Sequence, residues 1–310
     1  MQPDRDAWIE AGGNAERLTL LESIGEMAAF SDGDSRCLAG IHPERPDVGT
    51  VSDWVGDVAQ LHAAEAWLAE RGCKVARGPK ELCSWFPFRA VQGPFDEAPF
   101  FLEITQRAER WVEAGYEPVS HYVSVVAEHG PHIAQATDRA SSLSARGWTV
   151  QSLPATADNQ VPTGAFKEAI EEVHRLFSRA FAEQQGYVNI PAAALYQAYA
   201  PFRALVDPRL SMMARTPDGE AVGFLLALPD HLQPERGWFT VLTLAVAPEY
   251  RRSGVGTWLL GATHRAAQKA GFRAGVHAMV RVDRPDWQRY TGGDVFRRYV
   301  LLQRELSGSR

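Results

Sequence analysis

The stretch that decides the fold is Val241-Leu242-Thr243-Leu244-Ala245-Val246-Ala247-Pro248-Glu249-Tyr250-Arg251-Arg252-Ser253-Gly254-Val255-Gly256. Its first six residues form a nearly continuous apolar and β-branched run, which is typical of a central strand buried on both faces. Pro248 breaks the strand, and the two glycines stand where a helix that reaches about Ala270 must begin. The stretch therefore predicts a strand, a glycine loop and a helix in direct succession.

Such a junction is suited to binding a phosphate anion. Backbone N–H groups converge at the start of a helix, and glycine at alternate positions removes the Cβ atoms that would block an anion. A phosphate-binding loop of the Walker type needs Lys and then Ser or Thr after its last glycine, but Thr257-Trp258 follows Gly256. A dinucleotide fingerprint needs a third glycine where Leu259 stands. Two interpretations remain, a pyrophosphate in another kind of loop and an ordinary tight turn before a helix, and the preceding central strand together with Arg251 favours the pyrophosphate.

Residues Leu244 to Gly256 resemble the acetyl-CoA motif of the GCN5-related N-acetyltransferase (GNAT) superfamily. The pattern of that motif is Arg or Gln, two residues, Gly, one residue, then Gly or Ala, and Arg251, Gly254 and Gly256 match it. The resemblance implies acetyl-CoA as co-substrate, with its pantetheine arm along the strand and its pyrophosphate on the loop amides. The residues expected to bind it are Leu244, Ala245, Val246, Arg251, Arg252, Ser253, Gly254, Val255, Gly256 and Thr257.

The length of 310 residues predicts two compact units. We expect a mixed α/β fold of two tandem acetyltransferase-like domains, each a mostly antiparallel sheet flanked by helices, over residues 1–140 and 147–310. In the first unit the apolar spacing predicts a helix over 52–71 with Ser52 as N-cap, and another helix over about 102–114. When Gly72 is aligned with Gly271, Val55 and Asp57 replace the two loop glycines, so this copy is expected to bind no cofactor.

Acyl transfer to an amine needs a base, a backbone N–H that polarises the thioester carbonyl, and an acid for the leaving thiolate. The resemblance implies the Val246 amide for the carbonyl and Tyr290 for the acid. Tyr299 is a second candidate acid, although core packing explains it better. Thr243 occupies the place of the superfamily's Glu base, so Asp230 is the substitute candidate; capping of the turn after Pro229 is the simpler interpretation of that residue.

The remaining sequence features limit the class of partner. A net charge of −6 argues against nucleic acid, and the sequence has neither a membrane span nor a secretion signal, so a cytoplasmic protein is expected. No metal site is predicted, because His129-Gly130-Pro131-His132 looks like a solvated loop without further ligands nearby.

The predicted function is direct transfer of an acetyl group from acetyl-CoA to a primary amine of a small-molecule acceptor in a ternary complex. Two alternatives stay open at this point. One is a non-catalytic acyl-CoA-binding or sensing protein, and the other is a scaffold whose glycine loop is vestigial.

Overall fold

A computed structural model describes residues 1–93, 95, 97–182, 187–283 and 287–306. In this part of the chain, helices cover the faces of one continuous sheet. The strands are β1 (Glu26–Asp32), β2 (Ser35–Ile41), β3 (Val48–Val55), β4 (Val75–Gly78), β5 (Ala90–Gly93), β6 (Glu117–Ala127), β7 (Thr149–Ser152), β8 (Met212–Arg215), β9 (Ala221–Pro229), β10 (Trp238–Val246), β11 (Ala274–Arg281) and β12 (Asp294–Glu305). The helices are α1 (Arg5–Glu10), α2 (Ala15–Glu22), α3 (Val58–Glu70), α4 (Ala108–Glu113), α5 (His129–Ser144), α6 (Thr163–Phe181), α7 (Ala192–Tyr199), α8 (Val255–Lys269) and α9 (Trp287–Thr291).

The strands follow the spatial order β1-β2-β3-β4-β12-β6-β11-β10-β9-β8-β7, and β5 also pairs with β12. Two neighbouring pairs of strands are parallel. Helix α3 connects β3 to β4, and helix α8 connects β10 to β11. The other pairings are antiparallel. The predicted mixed α/β fold with a mostly antiparallel sheet is confirmed.

The two halves of the chain exchange strands at the centre of this sheet. The last strand, β12, lies between β4 and β6, which both come from the first half. Conversely, β6 pairs with β11 of the second half. The division into residues 1–140 and 147–310 stays a prediction, and the sheet itself does not break at that division.

Side-chain alternation along β9 fixes which helix covers which face of the second half. Phe224 packs with residues of α6, whereas its neighbour Leu225 packs with residues of α8. Because successive strand residues point to opposite faces, α6 and α8 cover opposite sides of the sheet. Within the described residues, none of the helices is long and apolar enough to cross a membrane.

Two predicted helices of the first half are present, but each begins about six residues later than predicted. Residues 52–55 continue β3, and α3 begins only after Asp57, whose carboxylate accepts a hydrogen bond from the Ala59 N–H at 2.8 Å. The apolar spacing around Trp54 suits either element, but pairing of β3 with β2 and β4 decides for the strand. The helix predicted over 102–114 is confined to α4, because Gln106 and Arg107 just before it pair with the backbone of Val91 in β5.

Candidate functional site

A split between β10 and β11 creates the candidate site. The two strands pair in parallel from Trp238 opposite Ala274 to Val241 opposite His277, and no farther among the described residues. Leu242 bulges out of the β10–β9 ladder immediately after the last pair. Beyond this bulge, the edge of β10 that faces β11 has no strand partner in the described chain, which leaves its backbone groups available to an extended ligand.

The glycine loop lies beside this split and joins β10 to α8. Arg252 and Gly254 have positive φ angles of 64° and 97°, and Gly254 is the N-cap of α8. The N–H groups of Arg252, Gly254, Gly256 and Thr257 have no hydrogen-bond acceptor among the residues that the structure describes. Free N–H groups at the positive end of a helix form a concentrated site for an anion.

The other loop residues shape and hold this turn. Ser253 donates its hydroxyl hydrogen to the Tyr250 carbonyl at 2.6 Å, and Val255 is buried in the core beneath α8. The Arg251 guanidinium donates to the Ala180 carbonyl near the end of α6, so it ties the loop to that helix. The Arg139 side chain of α5 lies against Gly254 and adds a cation to the anion site. The position of Arg139 beside the glycine loop could not be predicted from the sequence, because α5 is far from the loop along the chain.

A cavity of about 1790 Å³ connects the loop to the first half of the molecule. Its lining includes the predicted cofactor residues Leu244, Ala245, Val246, Arg251, Arg252, Gly254, Gly256 and Thr257, whereas Ser253 and Val255 stand behind it. Of the described lining residues, eight are Arg or Lys and one, Glu16, is acidic. The cavity is therefore electropositive although the chain as a whole is acidic.

The two predicted catalytic residues have different locations. Tyr290, on α9, lines the cavity with 40% of its surface exposed. Asp230 is 1% exposed and does not belong to the cavity lining that the structure describes. Its Oδ1 accepts hydrogen bonds from the N–H groups of Phe101 at 2.9 Å and Leu232 at 3.1 Å. Asp230 thus anchors the loop of the first half to the β9–β10 turn, which is a positioning contact.

Tyr299, the second candidate acid, is fully buried away from the cavity. Its hydroxyl donates to the Glu103 carboxylate and lies 3.0 Å from the Ser124 hydroxyl. The Arg297 guanidinium stands 2.9 Å from the same carboxylate. Burial and the neighbouring Glu103 charge raise the pKa of Tyr299 far above its ordinary value, so this phenol keeps its proton. Together, Tyr299, Glu103, Ser124 and Arg297 form a buried polar network that connects the two halves of the chain.

Arg89, which lines the same cavity, was missed by the sequence interpretation. Its φ of 97° is unusual for a residue with a side chain, and its guanidinium packs over the rings of Phe88 and Tyr122. Its Nε has no hydrogen-bond partner in the described structure, Nη1 donates to the Met279 sulfur at 3.2 Å, and the Tyr122 hydroxyl helps to stabilise the charged form. Burial lowers the pKa of Arg89 to about 10, so it remains a cation at neutral pH.

Four buried histidines stand beside the split, contrary to the expected solvated loop. His129 and His132 belong to α5 and are 6% and 3% exposed. They meet His264 of α8 and His277 of β11, the residue at the last parallel pair. Burial lowers the pKa of His277 to about 3, and burial with the neighbouring histidines lowers the pKa of His264 further, so both rings are neutral.

The corresponding junction of the first half is closed to an anion. Only two residues, Gly56 and the N-cap Asp57, lie between β3 and α3, whereas eight residues lie between β10 and α8. The Asp57 carboxylate occupies the helix start and would repel a phosphate. That this copy binds no cofactor stays a prediction.

The split strand pair, the glycine loop and the long helix α8 all lie within one segment of the chain. Residues 170–290 match the model of the Acetyltransferase (GNAT) family. This segment of the chain accordingly belongs to the GNAT family, whose members are acetyltransferases. No curated protein sequence matches the chain.

Solved structures of the same fold cover nearly the whole chain. A probable N-acyltransferase of unknown function from Enterococcus faecalis V583 aligns with a TM-score of 0.56 and 12% identity over 97% of this chain and 69% of its own. A tandem GNAT protein from the clavulanic acid biosynthesis pathway aligns with a TM-score of 0.51 and 12% identity, covering 100% and 92% of the two chains. A GCN5-related glucosamine N-acetyltransferase region of a fungal multi-domain β-N-acetylglucosaminidase aligns with a TM-score of 0.53 and 13% identity over 96% of this chain. This chain spans 36% of the length of that protein. These likenesses establish the fold alone.

Proposed function

We propose that this protein transfers an acetyl group from acetyl-CoA directly to a primary amine of a small acceptor bound in the same cavity. The observation that carries the proposal is the cluster of four free N–H groups at Arg252, Gly254, Gly256 and Thr257, which open into the cavity beside the split strands. The pyrophosphate fits this cluster, and the free edge of β10 suits the amide-rich pantetheine arm.

The proposed reaction forms a C–N bond and breaks the C–S bond of the thioester. The neutral amine nitrogen attacks the carbonyl carbon and then loses a proton to solvent, and solvent returns a proton to Tyr290 before the next reaction cycle. The departing thiolate takes a proton from the Tyr290 hydroxyl, which is proposed as the acid because it lines the cavity on α9. The Val246 amide is the proposed donor to the carbonyl oxygen.

Arg89 and Arg77 narrow the class of acceptor. Both line the cavity on the side of the first half, and the Arg77 Nε bonds only to the neutral Gln303 side chain at 2.9 Å. Neither guanidinium has a carboxylate partner in the described structure. A buried guanidinium is most stable beside an anion, so we propose an acceptor that carries a carboxylate or phosphate besides its amine.

Calorimetry with CoA, followed by a thiol-release assay with acetyl-CoA and an amine panel, tests the function. Gly256→Trp fills the space above the loop and is expected to abolish CoA binding. Gly164→Trp is the matched control, because a Cβ added there meets no atom within 4 Å and the position lies at the start of α6. Equal CoA affinity of the two variants would contradict the loop assignment. CoA binding without thiol release from any amine would instead favour an acyl-CoA sensor.

The acceptor class is tested by comparing amino acids with their amides as acceptors. Removal of the charge in Arg89→Met is expected to raise KM for the carboxylate forms about 10-fold to 100-fold, corresponding to the roughly 1.5–3 kcal/mol of a hydrogen bond to a charged group. CoA affinity should not change. Equal use of acids and amides by the wild-type protein would contradict an anionic acceptor.

A further inference from the structure

The buried histidines converge from three elements that the chain brings together only in the folded state. His132 lies on α5, His264 on α8 and His277 on β11, and one nitrogen of each lies within 4.8 Å of the others. The rings of His132 and His264 stack with centroids 4.3 Å apart. Gly261 makes this approach possible, since a Cβ at that position would come within 2.8 Å of the His132 carbonyl oxygen.

Backbone carbonyls fix which nitrogen of each outer histidine carries its hydrogen. A carbonyl oxygen only accepts, so His132 donates from Nε2 to Thr291 O at 3.2 Å and His129 donates from Nε2 to Phe272 O at 2.9 Å. The unprotonated Nδ1 of His129 then accepts from Nδ1 of His264 at 3.1 Å. His264 is left with a lone pair on Nε2.

The His277 ring faces the same lone pair, since Nε2 of His277 lies 2.9 Å from Nε2 of His264. A neutral imidazole carries a single N–H on one of its two nitrogens. With that hydrogen on Nε2, His277 donates to His264 when no ion is present. With the hydrogen on Nδ1, two lone pairs point at one place, which is the arrangement that a metal cation between them stabilises.

From these contacts we infer that His132, His264 and His277 form a binding site for a divalent zinc-like metal ion. Three neutral imidazoles are a common ligand set for zinc, with nitrogens about 2.0–2.1 Å from the metal. The opposite ring nitrogens of His132 and His264 already donate to Thr291 O and His129, the arrangement that orients histidine ligands in metal sites. His277 and Thr291 line the cavity, so a water or substrate atom could supply a fourth ligand from that side.

Such an ion would link α5, which precedes the predicted division of the chain, to α8 and β11 after it. The histidines that bind it are buried at 0–4% exposure, so the ion would be held inside the protein. The site is separate from the glycine loop, and its existence does not depend on the proposed acyl transfer.

The full-length protein, dialysed against a chelator and then titrated with zinc chloride alone, provides the test. Calorimetry and elemental analysis are expected to give one zinc per chain for the wild type and none for His264→Phe or His277→Gln. His174→Gln is the matched control, because His174 donates to Ile190 O outside the cluster and should leave zinc binding intact. Substitution by cobalt should give the visible bands of a tetrahedral nitrogen site.

Two results would overturn the inference: zinc uptake by the wild type no greater than that of His277→Gln, or undiminished uptake by both cluster variants. If the variants do not fold, nuclear magnetic resonance of the wild-type imidazoles decides the question. Zinc should shift the ring nitrogens of His132, His264 and His277 but not those of His174, and unchanged cluster signals would exclude the site.

Discussion

Gly254 and Gly256 have different structural reasons to be glycine. At Gly254, φ is 97° and an added Cβ would lie 2.9 Å from the Arg139 side chain, whereas at Gly256 the nearest atom to such a Cβ is a Val246 methyl at 3.6 Å. A left-handed backbone costs a residue with a Cβ about 1–2 kcal/mol. Only the first glycine is therefore required by the backbone itself.

We expect Gly254→Ala to weaken CoA binding by about tenfold, because each 1.4 kcal/mol corresponds to a factor of ten. Gly256→Ala should bind CoA almost as well as the wild type, since the methyl group makes an ordinary van der Waals contact. Calorimetric Kd values for the two variants check this order. A reversed order would mean that the ligand approaches the loop differently.

Tyr290 and Asp230 are expected to respond differently to substitution, because Tyr290 is the proposed acid whereas Asp230 makes a positioning contact. Loss of a general acid reduces kcat by about 10²–10⁴-fold, so Tyr290→Phe should show such a reduction with CoA affinity unchanged. The pH profile of kcat at high pH should flatten as well. Full activity of Tyr290→Phe would exclude it as the acid.

Asp230→Ala should instead destabilise the protein, because it leaves the buried N–H groups of Phe101 and Leu232 without their acceptor. The expected loss in the free energy of unfolding is about 1–3 kcal/mol, measured by urea denaturation. Asp230→Asn keeps an acceptor oxygen and serves as the control, with a smaller loss and near wild-type kcat. A fall of kcat in Asp230→Asn without a loss of stability would indicate a base.

Among the elements, α5 and α8 pack unusually closely at Gly261. A Cβ there would lie 2.2 Å from the Ala136 Cβ, so Gly261→Ala forces the helices apart and should cost about 1–3 kcal/mol by overpacking. The double variant Gly261→Ala, Ala136→Gly removes that clash and should recover part of the loss, although glycine within a helix costs about 0.5–1 kcal/mol. Urea denaturation of both variants measures the recovery, and its absence would contradict this packing.

The elements that could be predicted from the sequence are those that nearby residues specify. The strand and glycine loop at Val241–Gly256 could be predicted because an apolar run, a proline and two glycines specify them within one short segment. The helix predicted from Ser52 overlapped β3 because Trp54 and Val55 fit both a helical face and a strand, and only pairing with distant segments decides. Burial of His129 and His132 depends on α8 and β11, so no pattern in α5 alone could indicate it.

For the molecule as a whole, the exchanged strands make the halves interdependent. β12 contributes Val300 and Leu302 to the core of the first half, around Trp54, Leu61 and Trp111. In return, Ala136 of α5 packs against α8, and β6 covers the edge of β11. Because one sheet runs through both halves, each half contributes walls to the cavity, and Arg89 of the first half lines the same cavity as the glycine loop of the second.

Separate expression of residues 1–147 and 148–310 tests this interdependence. The first fragment exposes the unpaired edges of β4 and β6. The second fragment exposes the edge of β11, and its β12 has lost the strands on both sides. Because unpaired strand edges promote aggregation, each fragment alone should be insoluble or unfolded. Co-expression should restore a one-to-one complex that binds CoA. A protease site inserted at the exposed turn of Gly147 is the control, because the nicked protein should remain assembled. If residues 148–310 alone bound CoA with undiminished affinity, strand exchange would not be needed to complete the site, and the N-terminal half would serve the acceptor alone.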